Sequence, residues 1–182
     1  MDRELVERAQ HGDHDAFEAL AIGASRRLYA VARLILRDTH LAEDAVQETL
    51  VNIWRRLPTL RDPERFDAWT YRLVVNACAD AGRGRRRLAG EVRLLPTATS
   101  SIGDSAGAIA DRDQLERGFR HLRPEQRVAV VLHYYLGLSA AEVADVTGDA
   151  VGTIKSRLHY ATAAMRATLE ADQRGTASGG PA

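Results

Sequence analysis

The residues best suited to chemistry in this chain form a basic stretch near its C-terminus. Residues 151–169 contain Lys155, Arg157 and Arg166 and no Asp or Glu, although the whole chain balances 25 Lys and Arg against 25 Asp and Glu. A local surplus of positive charge is what the neutralisation of phosphate groups requires. The stretch therefore indicates contact with a nucleic acid.

Two short helices joined by a tight turn must position this basic stretch. Ser139 is a suitable N-cap for the first helix, and Gly148 and Asp149 end it and cap the next. Apolar residues recur at helical spacing on the inward sides, at Val143, Ala144, Val146, Ile154, Leu158, Ala161, Met165 and Leu169. The pattern predicts a helix-turn-helix whose outward side holds Lys155, Ser156, His159 and Arg166.

A packed helical hairpin that binds no ligand is the alternative interpretation of this segment. Most pairs of amphipathic helices with a glycine turn are of that kind. The absence of acidic residues over 151–169 favours the interpretation in which the second helix reads DNA.

Three longer helices are predicted in the N-terminal half. Asp13 can cap the first, with Phe17, Leu20, Ala24, Leu28, Val31 and Ile35 inward. Asp38 or Thr39 can cap the second, with Val46, Leu50, Ile53, Trp54 and Leu57 facing the core until Pro58 ends it. The third follows Asp62 and Pro63, with Phe66, Trp69, Leu73 and Ala77 inward, and weakens at Gly82 and Gly84.

Periodicity disappears over residues 88–110, and residues 96–107 are rich in Thr, Ser, Ala and Gly, which predicts a flexible linker. The sequence thus predicts an all-α protein with two small helical domains, an N-terminal bundle at 1–87 and a helix-turn-helix domain at 111–172. Residues 173–182 are expected to form a disordered tail.

Composition excludes several classes of protein. Cys78 is the single cysteine, so no internal disulfide can form, and no cluster of Cys and His has the spacing of a zinc site. No catalytic triad or metal-hydrolase motif is visible, so we expect neither an enzyme nor a bound cofactor or metal. The N-terminus lacks the apolar region of a signal peptide, and Arg33 interrupts the longest apolar run. We expect a cytoplasmic protein that does not insert into membranes.

Three stretches in this order resemble the extracytoplasmic-function (group 4) sigma factors of the sigma-70 family. They read AEDAVQETLVNIWRRL at 42–57, FDAWTYRLVVNACADAGRGRRR at 66–87, and LRPEQRVAVVLHYYLGLSAAEVADVTGDAVGTIKSRLHYA at 122–161. The likeness extends over residues 5–169. It implies a factor that binds core RNA polymerase and directs initiation at promoters, under the control of a soluble or membrane-bound anti-sigma factor, without needing a homo-oligomer.

The resemblance also gives roles to the polar sides of two N-terminal helices. One helix presents a polar side that would bind core polymerase, through Asp44, Gln47, Glu48 and Asn52, although a merely solvated side has the same spacing. Residues of the next helix and the loop before it would hold the opened minus-10 element, namely Arg61, Asp62, Arg72, Asn76, Asp80 and Arg83. Asp80 could instead pair locally with Arg83 or Arg72. Trp69 could act as a wedge, but its spacing favours the core.

In the same way, the second helix of the helix-turn-helix would enter the major groove at the minus-35 element. The residues expected to contact bases or phosphates are Lys155, Ser156, Arg157, His159, Tyr160 and Arg166. Tyr160 and Ala161 stand where many members of the family carry arginine, which puts the strength or sequence of the minus-35 contact in doubt. Two rival functions are a dimeric helix-turn-helix regulator and a helical adaptor that binds only protein.

Overall fold

A computed structural model of the chain describes the backbone of residues 3–91 and 116–177. Every regular element in these two ranges is helical, and the chain divides into two compact units. One unit contains the helices of the N-terminal half, and the other contains most of the residues after 100. The prediction of an all-α fold with two helical domains is confirmed.

The N-terminal unit contains four helices. They are α1 (Arg3–Gln10), α2 (His14–Leu36), α3 (Thr39–Arg56) and α4 (Phe66–Glu91), with 3-10 turns at Leu57–Thr59 and Pro63–Arg65 between the last two. Helix α4 packs against both α2 and α3, and α1 packs against α2. This arrangement leaves one side of α3 and one side of α4 for other contacts.

Short aspartate caps fix where α2 and α3 begin. The carboxylate of Asp13 accepts a hydrogen bond from the backbone N–H of Ala16 over 3.0 Å, and that of Asp38 accepts from Leu41 over the same distance. The Ala16 N–H and the guanidinium of Arg8 lower the pKa of Asp13, because both favour its charged form. Both predicted caps are confirmed, and Asp38 rather than Thr39 serves α3.

The core follows the predicted apolar spacing on α2 but departs from it on the other two long helices. Trp54 is 44% exposed instead of buried, and Thr49 takes an interior position of α3. On α4 the predicted Trp69 and Leu73 are only half-buried. The buried side of that helix consists of Phe66, Thr70, Tyr71, Val74, Val75, Ala77 and Cys78. Because α4 contacts two neighbouring helices, its buried side is wider than one stripe and lies further round the helix.

Helix α4 also continues beyond the predicted weak point at Gly82 and Gly84, to Glu91. Each glycine costs a helix about 1 kcal/mol relative to alanine, but extension of a formed helix still adds one hydrogen bond per residue. The first four residues of the predicted linker, 88–91, are therefore helical. The rest of that prediction, 92–110, lies outside the described residues.

The second unit begins, within the described residues, with helical residues 116–120. Next come α5 (Pro124–Val130), a π-helical turn (Val131–Tyr135), α6 (Ala140–Thr147) and α7 (Val151–Ala177). Helix α5 packs against α7. The first five residues of the predicted C-terminal domain, 111–115, are not described. The tail predicted to be disordered from 173 is helical as far as Ala177, because extension of a formed helix through Gly175 still adds one hydrogen bond per residue. Residues 178–182 are not described.

Candidate nucleic-acid interface and protein-binding face

The helix before the turn begins with a reciprocal cap. The hydroxyl of Ser139 accepts a hydrogen bond from the backbone N–H of Glu142 over 3.2 Å, and the Glu142 carboxylate accepts one from the N–H of Ser139 over 2.8 Å. These hydrogen bonds lower the pKa of Glu142. The predicted N-cap is confirmed, and Glu142 completes a capping box that fixes the start of α6.

A left-handed glycine forms the turn between the two helices. Gly148 has a φ of +76°, a backbone conformation that side chains with a Cβ rarely adopt. The carbonyl of Ala150 then accepts hydrogen bonds from Thr153 and Ile154, so α7 starts at Val151. The N-cap of α7 is therefore Ala150, one residue beyond the predicted Asp149.

Helix α7 separates an apolar side from a polar one. Ile154, Leu158 and Ala161 are buried as predicted, and Met165 and Leu169 are half-buried. The predicted DNA contacts on the other side are exposed, namely Lys155, Ser156, His159, Tyr160 and Arg166. Tyr160 is 65% exposed, and its ring meets that of His159 edge-on with centroids 5.5 Å apart. The helix thus presents cations, hydrogen-bonding groups and an aromatic ring together.

Arg157 is placed differently from the other predicted contacts. Its guanidinium donates two hydrogen bonds to the carboxylate of Asp149, one of them from Nη2 to Oδ1 over 3.0 Å. Its side chain is 25% exposed. The spacing of eight residues, across a turn, falls outside the three- and four-residue spacings by which ion pairs are read from a helical sequence.

The polar side of α3 is exposed where the sequence predicts it. Asp44, Gln47 and Glu48 are exposed, while Asn52 is half-buried and its amide donates to the carbonyl of Glu48 over 3.0 Å. These four residues, with the neighbouring Val51 and Trp54, are called the α3 face below.

The two apolar members of the α3 face were not among the predicted contacts. Val51 is 47% exposed and Trp54 is 44% exposed. Trp54 lies seven residues after Gln47, which places both on the same side of a helix. The sequence spacing therefore already indicated that Trp54 lies beside a predicted contact. The α3 face therefore contains an exposed tryptophan, a residue type enriched at protein interfaces, beside Val51 and the carboxylates of Asp44 and Glu48.

Helix α4 carries the exposed residues predicted for the minus-10 element. Arg72, Asn76, Asp80 and Arg83 are all exposed at helical spacing. Asp80 and Arg83 form an ion pair with each other, so the local pairing considered for Asp80 is present. In the preceding loop Arg61 is exposed, and the Asp62 carboxylate accepts from the N–H of Glu64 over 3.0 Å, which caps a 3-10 turn.

In the described part of the chain, Cys78 and the potential metal-binding side chains form no second site. Cys78 is buried, and its desolvation raises the pKa of the thiol to about 12, as expected for a core residue. Among the residues that the structure describes, no group of His, Cys, Asp and Glu is arranged to hold a metal ion. None of the described helices combines the length and apolar character needed to span a bilayer.

Comparisons with known proteins agree with the order of these parts. The family described as Sigma-70 region 2 matches residues 23–88, and Sigma-70, region 4 matches 112–165. The chain is 35% identical over 146 residues to the ECF RNA polymerase sigma factor SigL of Mycobacterium tuberculosis, covering 79% of this chain and 82% of SigL. It is 33% identical over 172 residues to SigM of the same organism, covering 92% and 84%.

Two solved structures are also similar. One is CnrH in complex with the cytosolic domain of CnrY, with a TM-score of 0.70, 27% identity and coverage of 94% of this chain and 98% of that one. The other is the sigma factor RpoE from Bartonella quintana in complex with the anti-sigma factor NepR. It has a TM-score of 0.73, 25% identity and coverage of 86% and 98%.

Proposed function

The chain belongs to the ECF RNA polymerase sigma factors, and we propose that its two units divide the work of promoter recognition. The N-terminal unit binds core polymerase and the minus-10 element, and α7 binds the minus-35 element. One observation carries the proposal. The exposed side of α7 presents Lys155, Ser156, His159 and Tyr160 on a stretch without acidic residues, directly after a glycine turn.

At the minus-35 element, α7 enters the major groove with its N-terminal turns toward the bases. Ser156 and His159 offer hydrogen bonds to base edges, and each well-formed pair of such bonds discriminates between bases by about 1–3 kcal/mol. Lys155 and Arg166 neutralise flanking phosphates. Tyr160 replaces the arginine common in the family, so it contributes stacking or one hydroxyl hydrogen bond in place of a cation.

On the N-terminal unit, the α3 face is the docking surface for core polymerase. Asp44 and Glu48 supply negative charge that steers a basic partner, while Val51 and Trp54 supply apolar area to be buried. Polar residues of α4 and the preceding loop hold the separated minus-10 strand, namely Arg61, Asp62, Arg72, Asn76, Asp80 and Arg83. Opening a base step costs a few kcal/mol. Contacts between these residues and the separated strand offset that cost.

Control by an anti-sigma factor completes the proposal. The similar structures CnrH and RpoE are each bound to a partner, RpoE to the anti-sigma factor NepR. A partner that covers the α3 face or the exposed side of α7 excludes polymerase or promoter by occupying the same residues. The free factor acts in the cytoplasm and reaches the nucleoid with polymerase.

Run-off transcription with purified core polymerase tests the proposal against its rivals. Templates from a random genomic library are transcribed with core polymerase alone, with the full chain added, and with the Lys155→Ala, His159→Ala variant added. The proposal expects discrete promoter-specific transcripts that require the full chain and are weakened by the variant. A DNA-binding regulator or a protein-only adaptor yields no new transcripts, and that result would overturn the proposal.

A further inference from the structure

The ion pair between Asp149 and Arg157 removes one cation from the polar side of α7. The guanidinium binds both oxygens of the carboxylate, an arrangement that is geometrically specific and stronger than a single contact. The side chains of Arg157 and Asp149 are 25% and 28% exposed, whereas those of Arg83 and Asp80 are 62% and 58% exposed. The partly buried pair is therefore less screened by salt and water than the one on α4.

Given the proposed function of α7, we propose that Asp149 is a specificity-determining residue that withholds Arg157 from DNA phosphates. A phosphate can recruit Arg157 only by displacing a carboxylate held close to it by the same chain. Phosphate neutralisation is left to Lys155 and Arg166. Because phosphate contacts carry no sequence information, loss of one makes binding depend more on the base-edge contacts of Ser156 and His159.

The salt dependence of DNA binding increases with the number of phosphate contacts. It therefore shows whether Arg157 contacts a phosphate or stays paired with Asp149. Each phosphate contact on duplex DNA contributes about 0.9 to the slope of log affinity against log salt concentration. An arginine that is paired within the protein contributes nothing to that slope. An arginine released from its carboxylate contributes about one further contact.

The experiment measures binding of the full chain to a fluorescein-labelled duplex of mixed sequence by anisotropy, between about 50 and 200 mM KCl. Arg157→Gln should leave the slope unchanged. Asp149→Asn should steepen it by about 0.9, so that affinity falls about 3.5-fold further over this range. The double variant should return to the wild-type slope. Glu125→Gln removes one exposed acidic group from α5 without releasing an arginine, and should leave the slope unchanged.

Two results at Arg157 and Asp149 would overturn the inference alone. Arg157→Gln could flatten the slope by about 0.9, which would make Arg157 a phosphate contact already in the wild type. Alternatively, Asp149→Asn could behave like Glu125→Gln. Arg157→Gln tests the inference with Asp149 intact. The inference can therefore still be refuted if Asp149→Asn folds poorly. Lys155→Ala distinguishes failure of the proposed DNA interface from failure of this inference. If the slope is unchanged in Lys155→Ala, both the DNA interface and the inference are refuted. If the slope is flatter in Lys155→Ala but unchanged in Asp149→Asn, only the inference is refuted.

Discussion

The indole ring of Trp54 meets the phenyl ring of Phe17 edge-on, with 4.6 Å between centroids, while 44% of the tryptophan remains exposed. The ring centroid of His14, also on α2, lies 5.2 Å from that of Trp54. Trp54 is thus fixed by α2 but not covered by it. A large aromatic side chain held in one orientation loses little freedom on binding, and such residues dominate the energy of protein interfaces.

We therefore expect Trp54→Ala to weaken binding to core polymerase by tenfold or more, as truncation of a central interface residue costs about 2 kcal/mol. Binding is measured by competition against a labelled wild-type factor. Trp69→Phe on α4 is the matched control and should retain affinity. If Trp54→Ala binds core polymerase as tightly as the wild type, Trp54 lies outside the docking surface.

Two paired substitutions test the division of labour between the units. Asp44→Ala with Glu48→Ala should reduce affinity for core polymerase and leave binding to duplex DNA intact, because these carboxylates face a protein partner. Lys155→Ala with His159→Ala should do the reverse and flatten the salt dependence of DNA binding by about 0.9 for the lost lysine contact. Equilibrium binding to each ligand provides the readout, and identical effects of the two pairs would contradict the assignment.

Local chemistry explains which features of this fold could be predicted from sequence. The caps at Asp13, Asp38 and Ser139 depend only on the next three residues, and Gly148 supplies the one left-handed conformation that its turn requires. The buried stripe of α7 follows because a single helical period describes it.

The structure differs from the prediction where a contact joins residues distant in sequence, or where a residue lies at the edge of the buried side of a helix. Periodicity places Trp54 toward one side of α3, but the neighbouring α2 decides how much of its ring is covered. The pairing of Arg157 with Asp149 spans a turn, so no helical spacing rule reveals it. Gly82 and Gly84 look like an end of α4 by propensity, although a formed helix tolerates them.

The capping box of α6 leads to a prediction about pH. Ser139→Ala should lower the free energy of unfolding by about 1 kcal/mol at pH 7, measured by urea denaturation followed by circular dichroism. The pKa of Glu142 is lower in the folded protein than in the unfolded chain. The charged carboxylate therefore stabilises the fold at a pH above the ordinary carboxyl pKa of about 4, and this stabilisation is lost as the pH falls through the folded-state pKa.

Glu142→Gln keeps a side chain that can cap but carries no charge, and so isolates that contribution. The variant should be less stable than the wild type at pH 7, and the difference should vanish in acid below the folded pKa. A difference that persists unchanged at low pH would mean that the charge of Glu142 contributes nothing to the cap.

The last prediction concerns Arg37, which ends α2 in a left-handed conformation with a φ of 55°. Its backbone N–H donates to the carbonyl of Arg33 over 2.8 Å, which is the geometry that glycine usually provides at this place. A side chain with a Cβ costs about 1–2 kcal/mol in this conformation, and the greater flexibility of glycine when unfolded offsets part of the gain. Arg37→Gly should therefore raise the free energy of unfolding by up to about 1 kcal/mol.

Arg33→Gly, in the last turn of α2 itself, is the matched control for Arg37→Gly. It should lower the free energy of unfolding by about 1 kcal/mol, because glycine there only loosens a right-handed helix. Urea denaturation of both variants at pH 7 gives opposite signs if the backbone conformation decides the outcome. Equal destabilisation would instead show that contacts of the Arg37 side chain outweigh the strain in its backbone.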